Sequence, residues 1–109
     1  MEPEEAVEAF GSLAQSNRLA VFRLLVQAGS RGLAAGEIAR ALEVAPSSLS
    51  FHLAHLTRAK LVSQERQSRN LIYRAEFARM NALIGYMLEN CCAGEDCSAN
   101  SGALTGECS

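Results

Sequence analysis

The first ninety residues of this chain contain no cysteine, and all four thiols, Cys91, Cys92, Cys97 and Cys108, fall within the last nineteen. A disulfide framework for the body is thereby excluded, and thiols gathered on a polar tail are not core packing. No apolar run approaches the length that crosses a bilayer. The N-terminal stretch Met1-Glu2-Pro3-Glu4-Glu5 is acidic and lacks the basic-then-apolar layout of a secretion leader. A cytoplasmic protein with reduced thiols is expected. A bridge between adjacent Cys91 and Cys92 would also be strained. No phosphate-binding glycine loop and no catalytic triad are evident, and the two histidines, His52 and His55, form no metalloprotease pair with a glutamate. The chain is therefore not expected to be an enzyme.

The 109 residues are 49% hydrophobic and 20% charged, which fits one soluble domain with a modest core. The net charge of −2 conceals a strong asymmetry. Residues 16–74 hold nine Lys or Arg against three Glu, a surplus of six positive charges. Residues 1–15 and residues 75–109 each carry a net charge of −4. A basic middle between acidic ends attracts a polyanion locally, although uneven charge alone also fits a plain solvated surface.

Helical spacing runs through Val7, Phe10, Leu13 and Ala14, behind Pro3 in a first turn. Ser16 or Asn17 can cap a second helix carrying Leu19, Phe22, Leu25 and Val26, which Gly29 stops. Gly32 and Gly36 punctuate the next loop, and a short third helix carries Ile38, Ala39 and Leu42. Val44-Ala45-Pro46 then makes a turn, and a fourth helix runs from about Ser47 to Lys60. Leu49, Leu53 and Leu56 form its buried stripe, with His52 close to them. Ser47, Ser50, Phe51, Ala54 and Arg58 fall opposite, and Ser48 and His55 flank that exposed face. A small polar face of this kind suits a DNA major groove, and it also suits an ordinary amphipathic helix.

Residues 61–66 and 70–74 read as two strands, with Gln67-Ser68-Arg69 as the hairpin tip and Asn70 suited to a left-handed turn position. Arg66, Arg69 and Arg74 place cations near the tip. A last helix over Phe77 to Asn90 has its apolar stripe at Met80, Leu83, Ile84, Met87 and Leu88. The expected fold is mostly α with a small β-hairpin (α+β), a winged helix-turn-helix. The surplus apolar stripes of the first and last helices predict a homodimer seam; the rival arrangement packs both on the monomer core. Residues 1–90 would form the DNA-binding and dimerisation domain. Residues 91–109, rich in Gly, Ser, Ala and acidic groups, would form a flexible tail bearing the cysteines. For double-stranded DNA the expected contacts are Ser47, Ser48, Ser50, Phe51, His55 and Arg58, with Arg66 and Arg69 on the wing.

The segment Pro46-Ser47-Ser48-Leu49-Ser50-Phe51-His52-Leu53-Ala54-His55-Leu56, with Ala59-Lys60-Leu61-Val62 and Tyr73 after it, resembles the arsenical-resistance repressor family (ArsR/SmtB). Leu13-Ala14, Arg18-Leu19 and Arg23-Leu24-Leu25 share in the likeness, which covers roughly residues 5–90. The resemblance implies a homodimeric winged-helix repressor that leaves its operator when an inducer binds. Asn90-Cys91-Cys92, with Cys97 close behind, looks like one arsenite-sensing branch whose thiol site follows the last helix. Two other sites of the family are missing. Residues 39–44 have no cysteine beside the recognition helix, and both histidines lie on the fourth helix rather than the last. The wing also lacks the glycine usual at its tip.

Thiolates are soft donors and select soft or thiophilic acceptors over Mg or Ca. Trivalent arsenic bonds three sulfurs in a pyramid, which Cys91, Cys92 and Cys97 can supply across a short loop. Antimony(III) has the same geometry. Cys108, eleven residues further, completes four ligands for the rival ion, zinc, although adjacent cysteines suit a tetrahedron poorly. A thiol redox sensor is a further rival. A metal-sequestering protein and a cysteine-based reductase remain as readings of another class. Glu95 and Asp96 beside Cys97 oppose the activated thiol a reductase needs.

Overall fold

Pro3 starts the first helix, α1 (Pro3–Leu13), and its missing N–H costs nothing in a first turn. Glu4 and Glu5 follow at the positive helix end. The computed structural model describes residues 1–91. After α1 come α2 (Ser16–Ala28), a 3-10 turn (Gly29–Arg31), β1 (Leu33–Ala34) and α3 (Ala35–Leu42). They are followed by α4 (Pro46–Arg58), β2 (Val62–Gln67), β3 (Asn70–Ala75) and α5 (Phe77–Leu88). Helix, turn and helix in α3–α4, then the β2–β3 hairpin, make a winged helix-turn-helix. Among the described residues no helix is long and apolar enough to cross a membrane.

Several local details depart from the sequence reading. Gln15, not Ser16 or Asn17, caps α2. Its backbone is extended (φ −150°, ψ 131°), and its side-chain oxygen accepts from the Arg18 N–H at 2.9 Å. Gly36 lies inside α3 rather than in the loop before it. There the Ala34 N–H donates to the Glu37 carboxylate at 2.9 Å, which satisfies a donor at that helix start. The α4 entry is as Pro46 demands, with Ala45 extended at φ −60°, ψ 139°. At the far end α5 stops at Leu88, and Asn90 turns left-handed at φ 58°.

The sheet has three strands in the order β1-β3-β2, all antiparallel. The hairpin pairs Val62 with Ala75 at its base and Gln67 with Asn70 at its tip, leaving a two-residue turn of Ser68 and Arg69. Ser68, not Asn70, takes the left-handed conformation (φ 58°), because Asn70 already sits in the ladder. The third strand, β1, was not legible in the sequence. It is two residues long and pairs Leu33 with Tyr73 and Ala34 with Ile72. Gly32 permits this docking. It has φ +68°, and a Cβ there would sit 2.7 Å from both Ile72 Cγ2 and the Tyr73 carbonyl oxygen.

Val21 and Leu25 of α2, Ile38 of α3, Leu49, Leu53 and Leu56 of α4, and Leu61 and Val62 fill one core. The α4 leucine stripe is thus buried as its spacing implies. Helix α1 behaves differently. It buries Ala6, Ala9 and Ser12, while Val7 is 70% exposed and Phe10 is also exposed. Small residues let α1 lie close to its neighbours and turn its larger apolar groups outward. On α5, Leu83 is buried and Met80 and Tyr86 pack on the core, but Ile84, Met87 (61% exposed) and Leu88 face outward.

Candidate nucleic-acid interface

The outer face of α4 carries Ser47, Ser48, Ser50, Phe51, Ala54 and Arg58, all exposed, with His55 half-buried at its edge. The leucine stripe on the opposite side fixes this orientation. Arg66 and Arg69 are exposed on the β2–β3 wing. Among the described residues, no carboxylate lies within ion-pair distance of Arg58, Arg66 or Arg69. These three cations remain available to an anion. Arg74 is different. Its Nη1 bonds the Glu65 carboxylate at 2.7 Å and its Nε donates to the Ser30 carbonyl at 2.7 Å. It therefore braces the wing root instead of serving as a tip cation. The Arg74 guanidinium, followed by the Gln67 amide, holds the Glu65 carboxyl below its usual range.

Two grooves flank the exposed face of α4. One, of about 380 Å³, runs between α4 and the sheet and is lined by Ser50, Ala54, Thr57, Arg58, Gln64 and Tyr73 among others. The second, also about 380 Å³, opens between the start of α3 and the wing, where Ser50, Arg66, Arg69 and Asn70 meet Gly36 and Tyr73. Ser50 and Tyr73 line both. The structure thus brings Ser50, Arg58, Arg66 and Arg69 onto one surface. It adds Thr57, Gln64, Asn70 and Tyr73, which were not among the expected contacts. Period-two alternation in the hairpin could have pointed to Gln64, since it pairs directly with Tyr73.

Phe51 stands on this face at 59% exposure. Its ring meets His55 edge-on, with centroids 4.5 Å apart at 71°, and His52 at 6.0 Å and 64°. The Ser12 hydroxyl donates to the His55 carbonyl at 3.3 Å, and Arg18 Nε donates to the Ser12 carbonyl at 2.7 Å. Helices α1, α2 and α4 are tied together at that point. His52 is buried at 7% exposure. Its Nδ1 has no hydrogen-bond partner among the described residues. Burial, then the charge of Arg18 and the neighbouring His55, pushes its pKa below the usual value of 6.5.

Cys91 is a half-buried thiol just beyond α5 and has no disulfide partner among the described residues. Cys92, Cys97 and Cys108, and the rest of the tail expected over 91–109, lie outside the described residues. Among the described residues no three His, Cys, Asp or Glu side chains gather into a metal-binding group.

The helix-turn-helix domain family matches residues 13–65, which span α2 through most of β2. The chain is 28% identical over 81 residues to the HTH-type transcriptional regulator YgaV of Escherichia coli, covering 74% of this chain and 80% of that one. An ArsR-like transcriptional regulator from Rhodococcus sp. RHA1 superposes with a TM-score of 0.72 at 25% identity, covering 94% of this chain and 93% of that one. A homodimeric winged helix-turn-helix DNA-binding domain from Mycobacterium bovis, a possible ArsR-family regulator, superposes with a TM-score of 0.64 at 27% identity, covering 80% and 81%. With the same order of helices and hairpin, the chain has a winged helix-turn-helix fold and is similar to transcriptional regulators of the ArsR type.

Proposed function

We propose that the chain is a metalloid-responsive repressor. It binds operator DNA as a homodimer and is released when As(III), or Sb(III) with the same pyramidal demand, bonds Cys91, Cys92 and Cys97. The observation that carries the DNA reading is the polar outer face of α4 set beside Arg58, Arg66 and Arg69, which have no ion partner among the described residues. Ser47, Ser48, Ser50, Phe51 and His55 would meet base edges. Arg66 and Arg69 would grip phosphates.

The dimer reading rests on α1 and α5. Their outward Val7, Phe10, Ile84 and Met87 leave apolar surface without cover among the described residues. The homodimeric Mycobacterium bovis domain supports it. The inducer reading rests on Cys91, three residues beyond Leu88 at the edge of that surface. Drawing Cys97 onto Cys91 and Cys92 would redirect the end of α5 and change the spacing of the two α4 helices. Coupling of this kind is typically about 1–3 kcal/mol, a 5- to 150-fold change in affinity.

Fluorescence anisotropy with a labelled duplex from upstream of the gene, with and without arsenite, tests this. The expected result is tight binding that arsenite weakens, and loss of that response in Cys91→Ser. Binding indifferent to arsenite would remove the inducer reading, and no binding would remove the repressor reading as well.

A further inference from the structure

We propose that Phe51 is a specificity residue that reads the C5 methyl group of a thymine in each half-site. The inference rests on the DNA-binding reading of α4 and adds what that helix recognises.

Phe51 is out of place unless something covers it. Between Leu19 on α2 and Phe77 on α5 it is the one large apolar side chain exposed among the described residues. Its neighbours on the outer face, Ser47, Ser48, Ser50 and Ala54, are small, so the ring projects beyond them. The edge-to-face contact with His55 at 4.5 Å restrains the ring. Phe51 is the sixth residue of the thirteen in α4, in the half of a recognition helix that meets base edges.

A major groove offers mostly hydrogen-bond donors and acceptors, which a phenyl ring cannot use. Its one apolar feature is the thymine methyl. An apolar side chain aimed into the groove by a polar helix therefore matches thymine and leaves cytosine, with its C5 hydrogen, less well covered. Burying one methyl group corresponds to roughly three- to fivefold in affinity.

The test uses the full-length protein and a duplex that it enriches from a random-sequence library. Each thymine is replaced in turn by deoxyuridine, which removes only the methyl and keeps the base pair. Binding is measured by anisotropy for the native chain, Phe51→Ala and Phe51→Gln, with circular dichroism to confirm that each variant folds. The expected result is one thymine per half-site at which uracil weakens native binding roughly three- to fivefold, and no such difference in either variant. Indifference to uracil at every position, with tight binding retained, overturns the inference and leaves the DNA-binding reading standing. A uracil penalty that persists in both variants also overturns it, and points to the Ala54 methyl instead. Failure to enrich any duplex sinks the DNA-binding reading and this inference with it.

Discussion

Arg79 on α5 reaches Glu5 on α1 through a 3.3 Å ion pair. It joins the two helices whose outer sides carry Val7, Phe10, Ile84 and Met87. The Glu5 carboxyl lies below its usual range, first because it accepts the Glu2 backbone N–H and then because of Arg79. The pair links α1 and α5 beside that apolar surface. Arg79 Nε is buried without an acceptor among the described residues.

If that surface is a dimer seam, a single charge within it should open the assembly. Met87→Lys places an ammonium on the outward side of α5 without touching the core, because Met87 is exposed in one chain. Sedimentation velocity should show a dimer for the native chain and a monomer for the variant at micromolar concentration. The variant should keep the native helix content. Its operator affinity should fall by at least tenfold, because two half-sites are no longer held together. A dimer that persists in Met87→Lys places the seam elsewhere.

His52 gives stability a pH dependence with a definite sign. Its folded-state pKa is depressed, so the unfolded chain binds the proton more readily. The full contribution to stability is present above the unfolded value of 6.5. It is lost as pH falls through 6.5 toward the lower folded value. Urea midpoints measured between pH 5 and 8 should fall on the acid side, and His52→Gln should flatten that slope. Acid loss below the usual carboxyl value of 4.5 should survive the substitution, because Glu5 and Glu65, both with lowered pKa values, titrate there.

Much of this architecture could be read from the residues, and the failures have one kind of cause. The α4 leucines and the Pro46 start were legible because they are local, a period and a fixed φ. The small residues on which α1 packs were not. Its apolar stripe was legible as surplus, and Val7 and Phe10 do face outward, but nothing in their spacing marks Ala6, Ala9 and Ser12 as the buried side. That choice is made by neighbouring helices. Strand β1 was missed for the same reason, since two residues have no period and exist as a strand only by pairing with β3. Arg74 carries the same charge as Arg66 and Arg69, and only the fold brings it to Glu65 and Ser30.

Gly32 should be far less replaceable than Gly29, although both have φ +68°. Alanine at Gly29 meets nothing within 4 Å, so it incurs only the backbone strain of a conformation (φ 68°, ψ −147°) that essentially glycine alone adopts, about 2 kcal/mol. Alanine at Gly32 incurs the same strain and also collides with Ile72, Arg74 and the Tyr73 backbone. The loss there should exceed about 2 kcal/mol, with β1 displaced from β3. Denaturation midpoints of the two variants give the comparison. Equal losses would mean that β1 docking adds little to stability.

Arg66 and Arg69 should act on DNA affinity without acting on sequence preference. Both lie on the wing with no ion partner among the described residues, and they line the groove beside Ser50. Each cation on a phosphate releases one counterion, worth about 0.9 in the salt slope of log K, and the proposed homodimer carries two copies, so each replacement by alanine should reduce that slope by about 1.8. The loss should be similar for the operator and for unrelated duplexes, because phosphates carry no base identity. Arg74→Ala should give another pattern. It frees Glu65 beside the cationic wing and cuts the hydrogen bond to Ser30, so stability should fall together with affinity. Anisotropy titrations from 50 to 200 mM salt, read beside thermal melts, separate the two. Should Arg66→Ala change the preferred sequence while leaving the salt slope intact, the wing would be reading bases.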